Sequence, residues 1–259
     1  MLGWIVRGLR QGRITTRYPR EPEPAPGGYR GRVRVLEPAG GGPELTRLCP
    51  TGAIAVGADG QVTLDRGRCI LCGECVQRAP SRFAFVSDYR TASRSRGGLM
   101  AGAREPATEP SLRAALGEVA AALRRSIHVR HIDCGSDGSE EWEIQALWNP
   151  YYDIQRLGFF LTNSPRHADV LLVTGGVTAP MRAPLERTWQ LMPEPKALVA
   201  VGTDACSGGL AAAGDRVAGG VDRILPVDVY VPGSPPAPIA IMHGLLLAVG
   251  RLPPGETAA

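Results

Sequence analysis

The stretch His131 to Ile144, His-Ile-Asp-Cys-Gly-Ser-Asp-Gly-Ser-Glu-Glu-Trp-Glu-Ile, closes one apolar run and opens a helix. Asp137 to Glu140 therefore fall in a strand-to-helix turn, the position where open α/β sheets hold their ligands. Outward from this turn, apolar runs and helical patterns alternate. Ile127 to Ile132 precedes a helix around Glu140 to Leu147, and Ala168 to Thr174 precedes a helix around Ala183 to Leu191. Lys196 to Gly202 then leads into a Gly-rich loop, and Val227 to Val231 into Pro238 to Val249. Short apolar strands joined by helices predict an α/β fold with a doubly wound parallel sheet, its binding edge at the carboxyl ends of the strands.

At 259 residues, with 44% apolar and 21% charged residues, the chain has room for two domains and a substantial core. The net charge of +4 is mild and Lys196 is the only lysine. The arginines are scattered among acids apart from a basic N-terminus, so nucleic-acid binding is not expected. Six cysteines are few for a disulfide scaffold and four fall in an iron-sulfur-like spacing, which points to a reducing compartment. Met1 to Leu9 is too short and arginine-rich for a signal peptide. No run reaches the roughly 20 apolar residues that span a bilayer. The sequence thus predicts a soluble chain, or one held to a membrane by partners.

Leu2, Ile5, Val6 and Leu9, with Arg7, Arg10 and Arg13, make a short helix-period pattern with a basic face, suited to a partner or a membrane interface. Glu21 to Gly28 is Pro- and Gly-rich and extended. Cys69-Ile70-Leu71-Cys72-Gly73-Glu74-Cys75 is a C-x2-C-x2-C run, and Cys49-Pro50 lies upstream of an alternating strand-turn-strand stretch, Ala53 to Leu64. In two-cluster bacterial ferredoxins each such run is completed by a cysteine-proline belonging to the other run, so Cys49 is the expected fourth ligand of Cys69, Cys72 and Cys75. Four thiolates also suit zinc, and an empty remnant is the third reading. Ser87 to Pro110 reads as an exposed linker. Ser111 to Arg125 carries a helical stripe of Leu112, Ala115, Val119, Ala122 and Leu123.

Longer phrases carry two resemblances. Thr15-Thr16-Arg17-Tyr18-Pro19 and Tyr29-Arg30-Gly31, together with the cysteines, resemble the ferredoxin subunits of formate hydrogenlyase and complex I. In that family the arm runs along neighbouring subunits and two clusters are bound. Here the second three-cysteine run is missing from Pro43 to Leu48, and its distant ligand is replaced by Ala79 before Pro80. Both halves of one site are gone while both halves of the other remain, which implies one [4Fe-4S] cluster.

The Asp137 turn, Tyr152 to Gly158, Ser164 to Gly175 and Pro226 to Gly233 resemble the small subunit of group 4 [NiFe] hydrogenases and its complex I relative. This resemblance implies a flavodoxin-like domain with a hydrogenase-like or complex I-like large subunit against the Asp137 edge and membrane-arm subunits below. It also implies a proximal [4Fe-4S] cluster, but Asp137, Glu140, Asp204 and Ser234 stand at all four ligand positions. Oxygen donors poorly suit an iron-sulfur cube, so the proximal cluster is expected to be absent. The pocket then holds solvated or arginine-paired carboxylates, a hard cation, or a relocated cluster using Cys134 and Cys206, which otherwise read as small buried residues. His131 and His167 read as structural rather than proton-sensing, and Trp142 and Trp148 as packing residues.

The whole is read as a fusion: residues 1–87, an arm and a small α+β ferredoxin-like domain; 88–109, a linker; 110–259, a hydrogenase small-subunit or complex I B-like domain. No residue is expected to be catalytic. The resemblance implies an iron-sulfur electron-transfer subunit, cytoplasmic and peripheral on the inner face of the cell membrane through partner subunits. The alternative is a structural coupling subunit whose cluster is a folding staple.

Overall fold

The computed structural model describes residues 3–36, 41–102 and 126–252. It opens with helix α1 (Gly3–Gln11), none of whose residues is buried. The arm that follows is pinned to the α/β part: Thr16 N donates to Tyr151 O at 2.9 Å, and Tyr18 is buried edge-on against Tyr89. Next come β1 (Arg32–Val35), β2 (Ile54–Val56), β3 (Val62–Asp65), helix α2 (Glu74–Arg78), β4 (Phe83–Val86) and β5 (Met100–Ala101). The expected strand-turn-strand is the antiparallel β2–β3 hairpin. Its alternation turns Ile54, Val62 and Leu64 inward, where they meet Val33, Phe83, Leu45 and Cys75 in one small core. β1 pairs with β4, and β5 adds to β3.

The exposed linker expected from Ser87 onward is not observed over its described part. Of residues 88–102 only Gly97 is exposed. The reason is backbone pairing on both sides: Ser93 exchanges hydrogen bonds of 2.9 and 2.8 Å with Tyr230, while Met100 and Ala101 extend the β3 sheet. Polar composition suggests solvation, but these backbone groups are satisfied internally. Residues 103–109 of that linker, and the helical stripe of Ser111 to Arg125, lie outside the described residues.

The α/β part runs β6 (Ile127–Asp133), α3 (Ser139–Ala146), β7 (Phe159–Leu161), β8 (Val170–Thr174), α4 (Ala179–Leu191), β9 (Ala197–Val201), α5 (Gly202–Ser207), β10 (Val229–Val231) and α6 (Pro238–Ala248). The strands are all parallel, in the order β10-β9-β8-β6-β7. β8 and β9 are buried along their whole length, as central strands covered on both faces must be. Alternate residues feed two layers. Val129, Val170, Leu172 and Val199 meet α6, which is buried at every position. Leu171, Val173 and Leu198 meet Leu185 and Trp189 of α4 on the other face.

Strand order reverses between β6 and β8, so the Asp137 turn stands at the topological switch point. Gly175 makes the close approach of the two turns possible: a Cβ there would lie 2.5 Å from the Gly135 carbonyl carbon. Two features depart from the sequence reading. β7 is a fifth strand, and the Gly-rich segment begins as a short helix, α5. Among the described residues no helix is long and apolar enough to cross a membrane.

Candidate functional site

The four predicted cysteines come together. A short 3-10 turn, Pro43–Leu48, delivers Cys49. A second, Arg66–Arg68, is capped by Asp65, whose carboxylate accepts from Gly67 N at 2.9 Å, and delivers Cys69. The chain then curls through Leu71 at φ 56° and Gly73 at φ 88° before Cys75 enters α2. A leucine in the left-handed region is uncommon and is held there by its surroundings. Cys49, Cys69, Cys72 and Cys75 line one cavity whose remaining wall is apolar: Val33, Leu48, Ile54, Leu64 and Ile70.

All four thiols are free. Burial pushes Cys69 up to about 12, against the backbone N–H of Leu71, with the neighbouring cysteines adding to the rise. Cys75 is raised for the same first reason. A set of thiolates here therefore needs a cationic core, whose binding displaces the protons. A donor already faces the sulfurs: Ala53 N lies 3.2 Å from Cys49 Sγ, while Thr51 Oγ1, which donates to Arg68 O, lies 3.3 Å from the same sulfur. Four soft ligands, an apolar wall and N–H donors to sulfur fit a [4Fe-4S] cluster. This cage touches the α/β part, where Thr203 Oγ1 donates to Cys69 O at 3.0 Å.

Thr203 is also the neighbour of Asp204, and so leads into the second predicted site. Glu140 is 2% exposed, and its carboxylate lies against Gly202, where an added Cβ would sit 2.4 Å from Oε1. Ser139 Oγ donates to Glu140 Oε2 at 3.2 Å, and no ion pair reaches Glu140 among the described residues. Burial pushes its carboxyl up to about 7, reinforced by the charges of Asp204 and Asp137 and opposed by its own backbone N–H and Ser139. Asp204 is raised by burial and then by Asp137. Asp137 is exposed, and bonds from Ser139 Oγ and N at 2.6 and 2.9 Å hold it below the usual range. Ser234 is exposed; its loop is tied in by the preceding Gly233, whose carbonyl accepts from Thr203 N at 2.7 Å.

Three of the four positions are thus in electrostatic contact, and Asp137 and Glu140 share the Ser139 hydroxyl. Among the described residues no three His, Cys, Asp or Glu side chains are grouped around a single metal ion, so neither these carboxylates nor the four cysteines form a one-ion site. Cys134 and Cys206 are both buried in the layer beneath α4. Burial pushes Cys134 up to about 12 and raises Cys206. His167 is exposed just before β8, at the amino end of the sheet and away from the Asp137 edge. Trp148 packs on the core, whereas Trp142 is 73% exposed on α3.

The partners of His131 escape the sequence reading. His131 Nε2 lies 3.0 Å from Thr174 Oγ1 and 3.4 Å from Glu141 Oε1, and Ser136 Oγ donates to Glu141 Oε2 at 2.7 Å. Burial lowers His131, against the pull of Glu141. Thr174 joins this network because it is the register partner of Asp133 across β6 and β8, a pairing that periodicity does not encode.

Comparison with known proteins finds two family matches. The NADH ubiquinone oxidoreductase 20 kDa subunit family matches residues 137–248, and a 4Fe-4S single cluster domain matches residues 62–113. Formate hydrogenlyase subunit 7 of Escherichia coli is 45% identical over 50% of this chain and 51% of its own length. This chain therefore spans about half of that relative. A probable membrane-bound hydrogenase subunit of Pyrococcus furiosus is 42% identical over 50% of this chain and 78% of its own. An NADH-quinone oxidoreductase subunit of Amoebophilus asiaticus is 46% identical over 40% of this chain and 66% of its own.

Proposed function

The chain belongs to the NADH ubiquinone oxidoreductase 20 kDa subunit family, and we propose that it is the iron-sulfur electron-transfer subunit of a membrane-bound, hydrogenase-related or complex I-like complex. The observation that carries this is the single apolar cavity lined by Cys49, Cys69, Cys72 and Cys75. When bound, a [4Fe-4S] cluster there would supply one-electron transfer. The chain's own residues do the rest. The four thiolates hold the cluster, the amides of Ala53 and Leu71 stabilise charge on sulfur, and Val33, Ile54 and Leu64 keep water away.

In this reading residues 1–87 supply the arm and the cluster domain, and residues 110–259 the docking domain for a hydrogenase-like or complex I-like large subunit, with membrane-arm subunits beyond it. The exposed Trp142 beside the Asp137 turn is a fitting anchor for the large subunit. The proximal position holds no cluster, because Asp137, Glu140, Asp204 and Ser234 offer oxygen where thiolate is needed. Buried core packing of Cys134 and Cys206 supports the same view.

That loss of thiolates favours a second reading, a coupling subunit in which the remaining cluster only staples its domain. A large subunit co-purified with this chain would separate the two. Paired nickel-iron cysteines in it require a route for electrons; their loss favours the coupling role. The cofactor reading is tested by iron, acid-labile sulfide and EPR on anaerobically purified protein. We expect about four irons per chain and one reduced-cluster signal. About eight irons with a second signal would overturn the single-cluster assignment, and zinc without sulfide would overturn the iron-sulfur one.

A further inference from the structure

Arg13, Arg17, Arg20 and Arg156 line a pocket of about 520 Å³ beside the N-terminal arm, together with Pro19 and Glu21. The charge there is poorly compensated. Glu21 is engaged by Arg17 at 2.9 and 3.2 Å, while Arg13 and Arg20 have no ion-pair partner among the described residues. Arg156 donates from Nη2 to Tyr18 O at 2.6 Å, which fixes its plane, and its buried Nε finds no acceptor among the described residues. Its pKa is lowered by burial and then by Arg13, with Asp153 opposing and Arg20 adding to the fall, so these cations stand close enough to repel one another despite the one nearby carboxylate. Guanidinium groups crowded in this way are completed by an anion with several acceptor oxygens, for which the forked donors of arginine are suited.

The chain leading into the pocket indicates the source of that anion. Helix α1 ends at Gln11, two residues before Arg13. It leaves Trp4 75% and Leu9 79% exposed, with Ile5 and Val6 also in solvent. Arg7 and Arg10 lie on the other side of the same helix, as its spacing requires. An apolar stripe with an interfacial tryptophan, flanked by arginines, matches a surface that is apolar inside and anionic at its face.

We propose that the Arg13, Arg17, Arg20 and Arg156 pocket binds the phosphate group of an anionic phospholipid, seated while α1 lies in the membrane surface. The chain thus touches lipid directly, in addition to any hold through partner subunits, and the site is independent of the cluster assignment. The test uses the full, anaerobically purified chain and sedimentation with vesicles of phosphatidylcholine alone or mixed with phosphatidylglycerol. Binding is expected only to the anionic vesicles and weakens with salt. Arg13→Ser with Arg20→Ser should reduce it about 25-fold, roughly fivefold per guanidinium removed. Trp4→Ser with Leu9→Ser should also reduce it, and Arg13→Lys with Arg20→Lys should retain more binding than the serine pair. Circular dichroism and visible absorbance must match the parent chain in each case. Equal binding to neutral vesicles, or full binding by the serine pair, overturns the proposal. So does displacement by inorganic phosphate but not by chloride at matched ionic strength, which would make free phosphate the ligand.

Discussion

Replacing Glu140 by Gln should stabilise the protein, and only at neutral and alkaline pH. Glu140 is 2% exposed, with a serine hydroxyl and the Gly202 backbone for company. Its carboxyl ionises near 7 in the fold against an ordinary 4.5. Below pH 4.5 the group is protonated in both folded and unfolded chains, and the fold keeps its full stability. As pH rises through about 7 the folded protein must ionise a buried carboxyl, and that advantage is lost. The loss amounts to about 3 kcal/mol once the group is ionised in both states. The Gln variant keeps the shape without the charge, so its thermal midpoint should exceed that of the parent by about 6 to 12 °C near pH 8. Near pH 4.5 the two should agree. Carboxyl infrared bands offer a direct check, with one protonated glutamate that disappears near pH 7 in the parent and is missing from the variant. A midpoint difference that does not change with pH would refute the reasoning. Docking of a cationic side chain from a partner should lower the titration, so the isolated chain is the right sample.

Cys72→Ser should bleach the visible absorbance, remove about four irons per chain and destabilise the small domain, whereas Cys134→Ala should leave iron unchanged; iron loss from the latter would reject the ligand assignment. Arg96 grips Asp65 through two bonds of 2.7 and 2.5 Å and lies 4.0 Å from Asp222. Arg96→Met should cost about 2 kcal/mol, softened by solvent access and by Arg68, and urea denaturation measures it. Gly202→Ala forces a side chain at φ 91° into the Glu140 carboxylate. It should cost about 1 to 3 kcal/mol in thermal unfolding without changing iron content.

The central strands were legible because their physics is local. Leu171 to Val173 and Leu198 to Ala200 lie in short apolar runs bounded by turn residues, a length that suits a strand buried on both faces. The cysteine cage was legible because C-x2-C-x2-C is a contiguous turn. β7 was not, since its three residues depend on pairing with Ile127 to Val129. The packed course of residues 88–102 was hidden for the same reason: Ser93 and Tyr230 are 137 positions apart, and neither side of the pair signals the other. Asp137, Glu140 and Asp204 could be placed at one sheet edge from the strand pattern. Which of them is buried could not, because it rests on Gly202 presenting bare backbone to Glu140.

The two halves differ in how much hydrophobic core each has to fold around. The α/β part has cores on both sheet faces, filled by α6 on one side and Leu185 and Trp189 on the other. Such a sheet holds its shape through burial, so oxygen donors at its carboxyl edge cost only local terms, of which Glu140 is the largest. The small domain has a core of Val33, Ile54, Leu64 and Phe83 among a few others, and Cys75 itself belongs to it. Small cores of this kind supply only a few kcal/mol and depend on a metal or disulfide staple. If a cluster occupies the cysteine cavity, its binding and the folding of the small β1–β5 core, which includes Ala101, would be one equilibrium. Chelation of iron should therefore unfold the β2–β3 hairpin region, read by hydrogen exchange, and leave the amides of β8 and β9 protected. Loss of protection in β8 and β9 as well would show that the two halves fold as one unit.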